Sequence, residues 1–210
     1  MYKSMMKKLN IPARFQNKTF DNYEPYEENK KIYNNIKEYA DNFDRHYKEG
    51  NWLIMSGDYG LGKTHLALAT ARKAVKTFAK EYLKKHPHTL TYIGDSKIQF
   101  LSSSEMIQNI RDSYDSDNIN EQELMSGYKN TPLIIIDDLG TEKASEWQKE
   151  KMYMILDYRY RQLKPTIITT NLGSGELKEQ VSLRVMERMI EASNDGKYLY
   201  KFRGKSYRRK

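Results

Sequence analysis

Cysteine is absent from this 210-residue sequence. That absence excludes disulfide bonds, thiol catalysis and zinc ribbons built on cysteine. Four histidines remain as possible metal ligands. Two of them, His86 and His88, flank Pro87 in a polar stretch, and we interpret both as solvated loop residues.

Long apolar runs are also absent. No stretch approaches the roughly 20 consecutive apolar residues that span a membrane. The basic N-terminus, MYKSMMKKLNIPARF, lacks the apolar segment of a secretory signal. With 38% hydrophobic and 30% charged residues, the chain has the composition of a soluble globular protein of ordinary domain size. We therefore expect a cytoplasmic protein with no membrane partner.

The net charge of +8 is concentrated at the C-terminus. Residues 183 to 210 contain nine lysines and arginines but only three acidic residues. Such a basic segment suits a polyanion, either the phosphates of a nucleic acid or a nucleotide. A solubilising tail is the alternative, because basic tails are common.

Short apolar segments alternate with helical patterns along most of the chain. WLIMS (52–56), PLIIIDD (132–138) and PTIITT (165–170) have the continuous apolar character of strands buried on both faces of a parallel sheet. TLTYIG (89–94) and KIQFLS (97–102) are predicted as further short strands. The alternation predicts an α/β fold with a central parallel sheet flanked by helices.

The spacing of apolar residues predicts helices between these strands. One helix is expected before residue 50, within EENKKIYNNIKEYADNF, and Gly50 has the position of a C-terminal cap. Ser145 and Gln148 have capping-box spacing at the start of a long helix. The apolar stripe of that long helix is predicted to comprise Met152, Leu156, Tyr160 and Leu163.

The remaining segments are less regular. KYLYKFRGKSYRRK, residues 197–210, predicts a small C-terminal β-hairpin around Gly204, whereas the polar stretch from 115 to 131 predicts no defined element. We divide the chain into a lead-in segment with one helix, residues 1–50, and a main domain, residues 51–210.

The stretch GDYGLGKT, residues 57 to 64, matches the phosphate-binding pattern G-x-x-x-x-G-K-[ST], with a predicted strand before it and a predicted helix after it. Glycines let backbone N–H groups turn toward a phosphate, and the N-terminus of the following helix favours an anion. We expect Lys63 to reach the terminal phosphates of ATP and the Thr64 hydroxyl to bind Mg²⁺. The residues predicted to bind the nucleotide here are Gly57, Asp58, Tyr59, Gly60, Leu61, Gly62, Lys63, Thr64 and His65.

A phosphate-binding loop needs an acidic residue at the end of a neighbouring buried strand to hold Mg²⁺. In LIIIDD this residue is Asp137, and Asp138 follows it in position to orient or deprotonate the attacking water. Two acids that simply end a strand are the alternative for this segment taken alone. Because aspartate is shorter than glutamate, Asp138 is also compatible with slow hydrolysis.

Polar residues farther along the chain extend this triphosphatase site. In IITTN, Asn171 is the candidate for contact with the γ-phosphate and the water, with Thr170 as second choice, although a turn-forming asparagine has similar weight. In SLRVMERM, Arg184 and Arg188 suit a finger that reaches the nucleotide of a neighbouring subunit. The alternative is that they form one exposed face of a helix, since they are four residues apart. A small-molecule kinase would share the loop but would need an acceptor pocket and a lid.

These segments together resemble the AAA+ ATPase family of bacterial and phage helicase loaders, DnaC and DnaI, and their transposition relative IstB. The resemblance runs from IPARFQNKTFDNY through GDYGLGKTHLALA and LIIIDDLG to LRVMERM and SYR. Its most specific stretch, LDYRYRQLKPTIITTNL, is nearer to DnaC than to IstB. The resemblance implies a P-loop NTPase fold of AAA+ type and ATP hydrolysis that depends on DNA and on oligomerisation. It also implies single-stranded DNA and a replicative helicase as partners, and a homo-oligomer joined through ATP-bridged interfaces.

The resemblance also implies a role for each matching residue. The Walker A and Walker B pairs are matched by Lys63 with Thr64 and by Asp137 with Asp138. Asn171 matches the sensor-1 residue, Arg188 an arginine finger supplied in trans, and Arg208 a sensor-2-like arginine that binds the nucleotide.

The N-terminus departs from the pattern of this family, whose loaders usually carry an N-terminal domain that grips the helicase. Here about 50 residues precede the first predicted ATPase strand, and we expect that domain to be absent or replaced by something small. Two alternatives therefore stay open. One is an IstB-like helper that prepares target DNA for a transposase, and the other is a nucleotide-gated adaptor with little hydrolysis.

The sequence contains 17 tyrosines, a high number for its length. Single-stranded nucleic acid is often held by stacking on aromatic side chains in a basic groove. The possible stacking platforms are Tyr114, Tyr128, Tyr198 and Tyr207.

Overall fold

A five-stranded parallel sheet forms the centre of the protein. The computed structural model describes residues 11–85, 98–114, 120–140 and 143–207. The strands are β1 (Leu53–Ser56), β2 (Ile98–Ser102), β3 (Leu133–Asp137), β4 (Thr166–Thr170) and β5 (Leu199–Lys201). They lie in the order β2-β3-β4-β1-β5, and every neighbouring pair runs parallel. The predicted α/β fold with a parallel sheet is confirmed, while the predicted strand at 89–94 falls outside the described residues.

The sheet is covered on both faces because its strands alternate between two cores. Leu133 and Ile135 of β3 pack into the core on one face, and Ile134 and Ile136 pack into the core on the other. Every residue of β3 and of β4 is buried. Continuous apolar strands are expected where helices cover both faces of a parallel sheet.

Helices flank the sheet in two layers. In chain order they are α1 (Lys30–Asp41), α2 (Phe43–Glu49), α3 (Lys63–Lys85), α4 (Ser103–Asp112), α5 (Glu121–Asn130), α6 (Glu146–Arg161), α7 (Ser174–Val181) and α8 (Leu183–Ala192). Helices α1 to α3 pack on one face, and α4 to α8 pack on the other. None of the helices in the described ranges is long and apolar enough to cross a membrane.

The lead-in segment packs into the same core as the sheet. Two 3-10 turns, Ala13–Phe15 and Glu27–Asn29, precede α1. The prediction of one helix here was wrong, because the chain turns at Asn42 and continues as α2, which Gly50 closes with a φ of +70° as expected of a C-terminal cap. Phe20, Tyr23 and Phe43 are buried in the first core cluster. The proposed boundary at residue 50 stays a prediction.

The C-terminal hairpin predicted around Gly204 was wrong. Strand β5 pairs in parallel with β1 at the edge of the sheet, so its backbone partner is a distant strand rather than the segment that follows it. After β5, the described chain up to Tyr207 returns to the glycine loop, where the backbone N–H of Tyr207 donates to the carbonyl oxygen of Gly60 at 2.9 Å. This contact, rather than antiparallel pairing, fixes the described end of the chain.

The sequence predicts the ends of the helices better than it predicts their buried faces. Ser145 and Gln148 form the predicted capping box of α6, and Asn120 caps α5 in a stretch where no element was predicted. In α6, however, the buried side chains are Met152, Ile155, Leu156, Asp157 and Arg159. Leu163, predicted in the apolar stripe, is exposed because it lies beyond the end of the helix.

Trp52, directly before β1, is fully buried on the second face of the sheet. Its indole Nε1 donates a hydrogen bond to the carbonyl oxygen of Lys164 at 3.0 Å. The bond joins the beginning of β1 to the beginning of β4, its neighbour in the sheet. It therefore supports the alignment of the two strands whose carboxyl ends approach the glycine loop.

Candidate functional site

The glycine loop connects β1 to α3 at the carboxyl edge of the sheet. Gly57, Gly60 and Gly62 all have positive φ angles. A Cβ atom at Gly62 would lie 2.3 Å from the ring of Tyr23, so this close approach requires glycine. Helix α3 begins at Lys63, directly after the loop. Its N-terminus and the loop N–H groups together provide an environment that favours phosphate.

Lys63 lies across the loop that precedes it. Its Nζ donates to the carbonyl oxygens of Gly57 at 2.6 Å and Asp58 at 2.8 Å. It also donates to Oδ1 of Asn171 at 2.7 Å. The ammonium group is thus placed between the loop and the end of β4, where it meets a residue 108 positions away in the sequence.

Asp137 ends β3 and faces the start of α3. The Thr64 hydroxyl donates to its carboxylate, with Oγ1 at 2.9 Å from Oδ1 and 3.1 Å from Oδ2. A second hydroxyl, from Thr169 of β4, donates to Oδ1 at 2.6 Å. Burial raises the pKa of Asp137, and the two hydrogen bonds oppose that rise.

Asn171 joins Asp138 to Lys63. Its Nδ2 donates to Oδ1 of Asp138 at 2.7 Å, while its Oδ1 accepts from the lysine. Asp138 has a φ of +54°, in the left-handed region, so the chain turns sharply directly after Asp137. The structure therefore brings together the five residues that the sequence selected from three distant segments: Lys63, Thr64, Asp137, Asp138 and Asn171.

A cavity of about 460 Å³ opens beside these residues. Its lining includes Asp138, Asn171 and much of the glycine loop, together with residues that sequence reasoning did not assign to a nucleotide site. These additional lining residues are Arg14, Phe15, Lys18, Asn22, Tyr23, Glu24 and Tyr207. Most of them come from the segment IPARFQNKTFDNY, whose aromatic and basic residues are the sequence signal for this wall of the site.

The other predicted loop residues have different environments. Leu61 is buried, and its carbonyl oxygen accepts from the Tyr23 hydroxyl at 2.9 Å, so its side chain faces the core and not the cavity. Tyr59 is 60% exposed. His65 lines the cavity, with Nε2 at 2.6 Å from the carbonyl oxygen of Thr19, and burial lowers its pKa.

Of Arg188 and Arg208, only Arg188 lies within the described residues. Arg188 lies on α8, where its Nε is 3.3 Å from Oδ1 of Asp157 and its guanidinium stacks over the ring of Tyr160 at 4.6 Å. It is not among the residues that line the cavity of the same chain. Arg208 falls outside the described residues.

The oxygen atoms at the end of β3 suit Mg²⁺ carried by a nucleotide. In the described part of the chain, no group of three or more histidine, aspartate or glutamate side chains could hold a metal alone. Thr64 and Asp137 nevertheless place a hydroxyl and a carboxylate together beside the loop. Mg²⁺ is commonly bound by one or two protein oxygens together with phosphates and waters, so these residues fit that ion.

The chain is similar to known replication proteins in sequence. A family profile described as the bacterial DnaA ATPase domain matches residues 15–191. The replicative helicase loader DnaC of Buchnera aphidicola subsp. Baizongia pistaciae (strain Bp) is 27% identical over 181 residues, covering 85% of this chain and 65% of that protein. DnaC of Escherichia coli (strain K12) is 24% identical over 175 residues, covering 83% and 63%. This chain thus spans slightly less than two thirds of the length of either loader.

The fold is also similar to that of a solved loader. The crystal structure of the DnaC helicase loader matches with a TM-score of 0.70 at 27% identity, covering 91% of this chain and 100% of that one. The AAA+ type of fold and the resemblance to helicase loaders are confirmed by these matches. Because the family profile takes in most of the chain, including the glycine loop and both acids, this protein belongs to the bacterial DnaA ATPase domain family.

Proposed function

We propose that this chain is an ATP-hydrolysing accessory protein of DNA replication that loads a replicative helicase onto single-stranded DNA. The observation that carries the proposal is the continuous set of contacts from Thr64 to Asp137 and from Lys63 through Asn171 to Asp138, beside a cavity of nucleotide size. The relatives that match this chain are named replicative helicase loaders.

Each residue of the site has a role in this proposal. Lys63 contacts the terminal phosphates, and Thr64 and Asp137 hold Mg²⁺, which neutralises phosphate charge when bound. Asp138 orients the attacking water. Asn171 holds Asp138 in place and contacts the γ-phosphate.

Hydrolysis further requires a second copy of the chain. Arg188 is partly exposed on α8, with 35% of its side chain accessible, and this exposure is compatible with a finger that acts on the nucleotide of a neighbouring subunit. Within its own subunit it contacts Asp157 at 3.3 Å and Glu191 at 3.5 Å. The homo-oligomer would thus complete each site with an arginine from the next subunit.

A basic aromatic surface supports the proposal of single-stranded DNA as a partner. Tyr114 is 53% exposed and lies 6.2 Å from the Trp147 ring, centroid to centroid. Arg111 and Lys151 lie over the same tryptophan at 5.9 and 5.7 Å. Bases stack on such rings, and the Arg111 guanidinium would attract the phosphates, whereas the Lys151 ammonium is paired with Glu121 at 2.5 Å. We call Tyr114, Trp147, Arg111 and Lys151 the aromatic-basic cluster.

The other tyrosines considered as platforms are less suitable. Tyr128 and Tyr198 are buried, at 4% and 6% exposure, so neither ring can stack on a base. Tyr207 lines the cavity beside the glycine loop. Of the four tyrosines, Tyr114 in the aromatic-basic cluster is therefore the candidate for contact with DNA.

The proposal is tested by affinity capture with the purified chain in extract of its source cell, with and without an ATP analogue and single-stranded DNA. Recovery of the replicative helicase in the presence of the analogue, and its loss with Lys63→Ala, is the expected result. Recovery of a transposase would instead favour the IstB-like alternative. Tight ATP binding and nucleotide-dependent capture of the helicase, with no measurable ATP turnover by the wild-type chain with or without DNA, would favour the nucleotide-gated adaptor and overturn the proposed hydrolysis.

A further inference from the structure

Thr169 links the two acids of the site through one hydroxyl group. Its Oγ1 donates to Oδ1 of Asp137 at 2.6 Å and accepts the backbone N–H of Asp138 at 3.0 Å. The residue is fully buried in β4, at 0% exposure. This hydroxyl thus uses both its donor and its acceptor on the turn formed by Asp137 and Asp138.

The register of the sheet explains how one residue reaches both acids. The last aligned pair of β3 and β4 is Ile136 with Ile168, so Asp137 and Thr169 are the next positions at the carboxyl edge. One residue beyond the acids, the N–H of Leu139 donates to the carbonyl oxygen of Thr169 at 2.8 Å. Main chain and side chain of Thr169 therefore hold the same turn.

That turn needs support because Asp138 adopts a φ of +54°. A non-glycine residue in this region is strained, and such strain persists only where the surroundings fix it. The Ser103 hydroxyl donates to the carbonyl oxygen of Asp138 at 3.0 Å, and the Thr170 hydroxyl donates to that of Leu139 at 2.8 Å. Of these hydroxyl groups, only that of Thr169 also holds the Asp137 carboxylate.

Thr169 acts on the site without facing the cavity. Thr64, which also donates to Asp137, lines the cavity, whereas Thr169 does not. The Asp137 carboxylate is thus held from two elements, by Thr64 from α3 and by Thr169 from β4. Without the second hydroxyl, the Asp137 carboxylate would keep only the bond from Thr64, and the backbone N–H of Asp138 would lose its acceptor.

We propose that Thr169 is a positioning residue for Mg²⁺-dependent ATP hydrolysis, whose hydroxyl fixes the carboxylate of Asp137 and the main chain of Asp138 together. The inference rests on the proposed ATPase function. Groups that orient metal ligands from behind commonly change metal affinity or activity by about 10- to 100-fold when removed. Removal of the Thr169 hydroxyl should therefore change the affinity for Mg²⁺ measurably, and not only the stability of the fold.

The test compares Thr169→Val, which removes the hydroxyl at similar size, with Thr169→Ser, which keeps it. Binding of a fluorescent ATP analogue is titrated with Mg²⁺, and kcat and KM are measured in parallel. For Thr169→Val we expect unchanged binding without Mg²⁺, a Mg²⁺ requirement raised by about 10- to 100-fold, and a fall in kcat greater than any change in KM. For Thr169→Ser we expect behaviour close to wild type.

Thr70→Val is the matched control. Thr70 is also fully buried, and its hydroxyl donates only to the Leu66 carbonyl oxygen of its own helix, at 2.9 Å. This variant should keep the wild-type Mg²⁺ dependence. Thermal unfolding of each variant is recorded, and Thr169→Ala replaces the valine variant if valine prevents folding.

The outcomes separate this inference from the function on which it rests. A wild-type chain that neither binds nor hydrolyses ATP would overturn the proposed function itself. If wild type binds ATP with Mg²⁺ dependence and Thr169→Val does the same, the positioning role alone is overturned. An equal loss in Thr169→Ser or in Thr70→Val would likewise overturn it, because the hydroxyl at residue 169 would not be the group responsible.

Discussion

At the residue scale, Asn171 connects the basic and acidic halves of the site. Its amide oxygen accepts from Lys63 while its amide nitrogen donates to Asp138. An amide carries an acceptor and two donors, so it can bridge a lysine and an aspartate in a way that neither a carboxylate nor an apolar side chain can. Its position at the end of β4 follows from the parallel sheet, in which all strands present their carboxyl ends at one edge.

Replacement of Lys63 by alanine should reduce ATP affinity by about 100-fold or more, because a charge-assisted contact with phosphate is lost. The measurement is equilibrium binding of a fluorescent ATP analogue in the presence of Mg²⁺. Lys76→Ala is the control, since Lys76 is an exposed lysine on the same helix, α3. Wild-type affinity in Lys63→Ala would contradict the assignment of the phosphate-binding loop.

At the scale of elements, Arg159 joins α5, α6 and β4. It is fully buried, and its guanidinium donates to the carbonyl oxygens of Tyr128, Thr131 and Pro165 at 3.0, 2.8 and 2.7 Å. Burial lowers its pKa to about 9. The carbonyl groups at the end of α5 favour a cation there, so a charged residue takes a place that helical periodicity would assign to an apolar one.

Arg159→Met should lower the free energy of unfolding by about 3 kcal/mol, because several buried carbonyl groups lose their donor. Urea unfolding followed by circular dichroism measures the change. Arg161→Met, on the exposed face of the same helix, should change stability by less than about 1 kcal/mol. Equal effects of the two substitutions would show that the buried contacts of Arg159 do not hold the elements together.

A second prediction at this scale concerns His46, which connects α2 to α1 and to the residue before β5. Its ring stacks on Tyr39 at 4.0 Å and meets Tyr198 edge-on at 4.8 Å. Burial, together with the charge of Arg45, lowers its pKa to about 4. The unfolded imidazole takes up a proton near pH 6.5, so stability should fall as pH drops from about 6.5 to 4 and should level off below that range.

The linked loss is at most about 3 kcal/mol for this group. Chemical denaturation at several pH values measures it, with His46→Phe as the comparison, because that ring packs without binding a proton. A shallower slope is expected for the variant, with the remainder arising in part from His65, whose pKa is also lowered by burial. Identical slopes would exclude His46 as a source of the pH dependence.

At the scale of the whole molecule, residues from both ends of the described chain close the nucleotide cavity. The Tyr207 hydroxyl donates to the carbonyl oxygen of Glu24 at 2.6 Å, and its ring stacks on Tyr26 at 4.4 Å. Its backbone N–H is bound to Gly60 of the glycine loop. Sequence reasoning could not find this arrangement, because it depends on contacts between segments about 180 residues apart that share no spacing pattern.

The part of the site that could be predicted has a physical reason of its own. Lys63 and Thr64 lie in one local pattern, whereas Asp137 ends a strand and Asn171 follows one, and the continuous apolar run of each strand marks it as buried. Parallel strands bring such ends together whatever the loops between them do. The order of strands, the edge position of β5 and the burial of Arg159 could not be predicted, because each depends on which distant partner a segment meets.

Arg188→Ala tests whether the molecule works as an assembly. ATP binding should remain within about twofold of wild type, while hydrolysis by the DNA-bound oligomer should fall by about 100- to 1000-fold, because a charge that stabilises the transition state is removed. Arg161→Ala is the matched control, since Arg161 also contacts Asp157, at 2.8 Å, but lies on α6. Normal hydrolysis in Arg188→Ala would contradict a finger supplied in trans.

The aromatic-basic cluster has a spectroscopic consequence. The chain contains two tryptophans, Trp52 in the core and Trp147 in the cluster. The emission of Trp52 reports the integrity of the fold, whereas quenching of Trp147 by a stacked base would report DNA at the surface. In a Trp52→Phe protein, the tryptophan emission would come from Trp147 alone and would therefore follow nucleic acid binding in real time, without a dye attached to either partner.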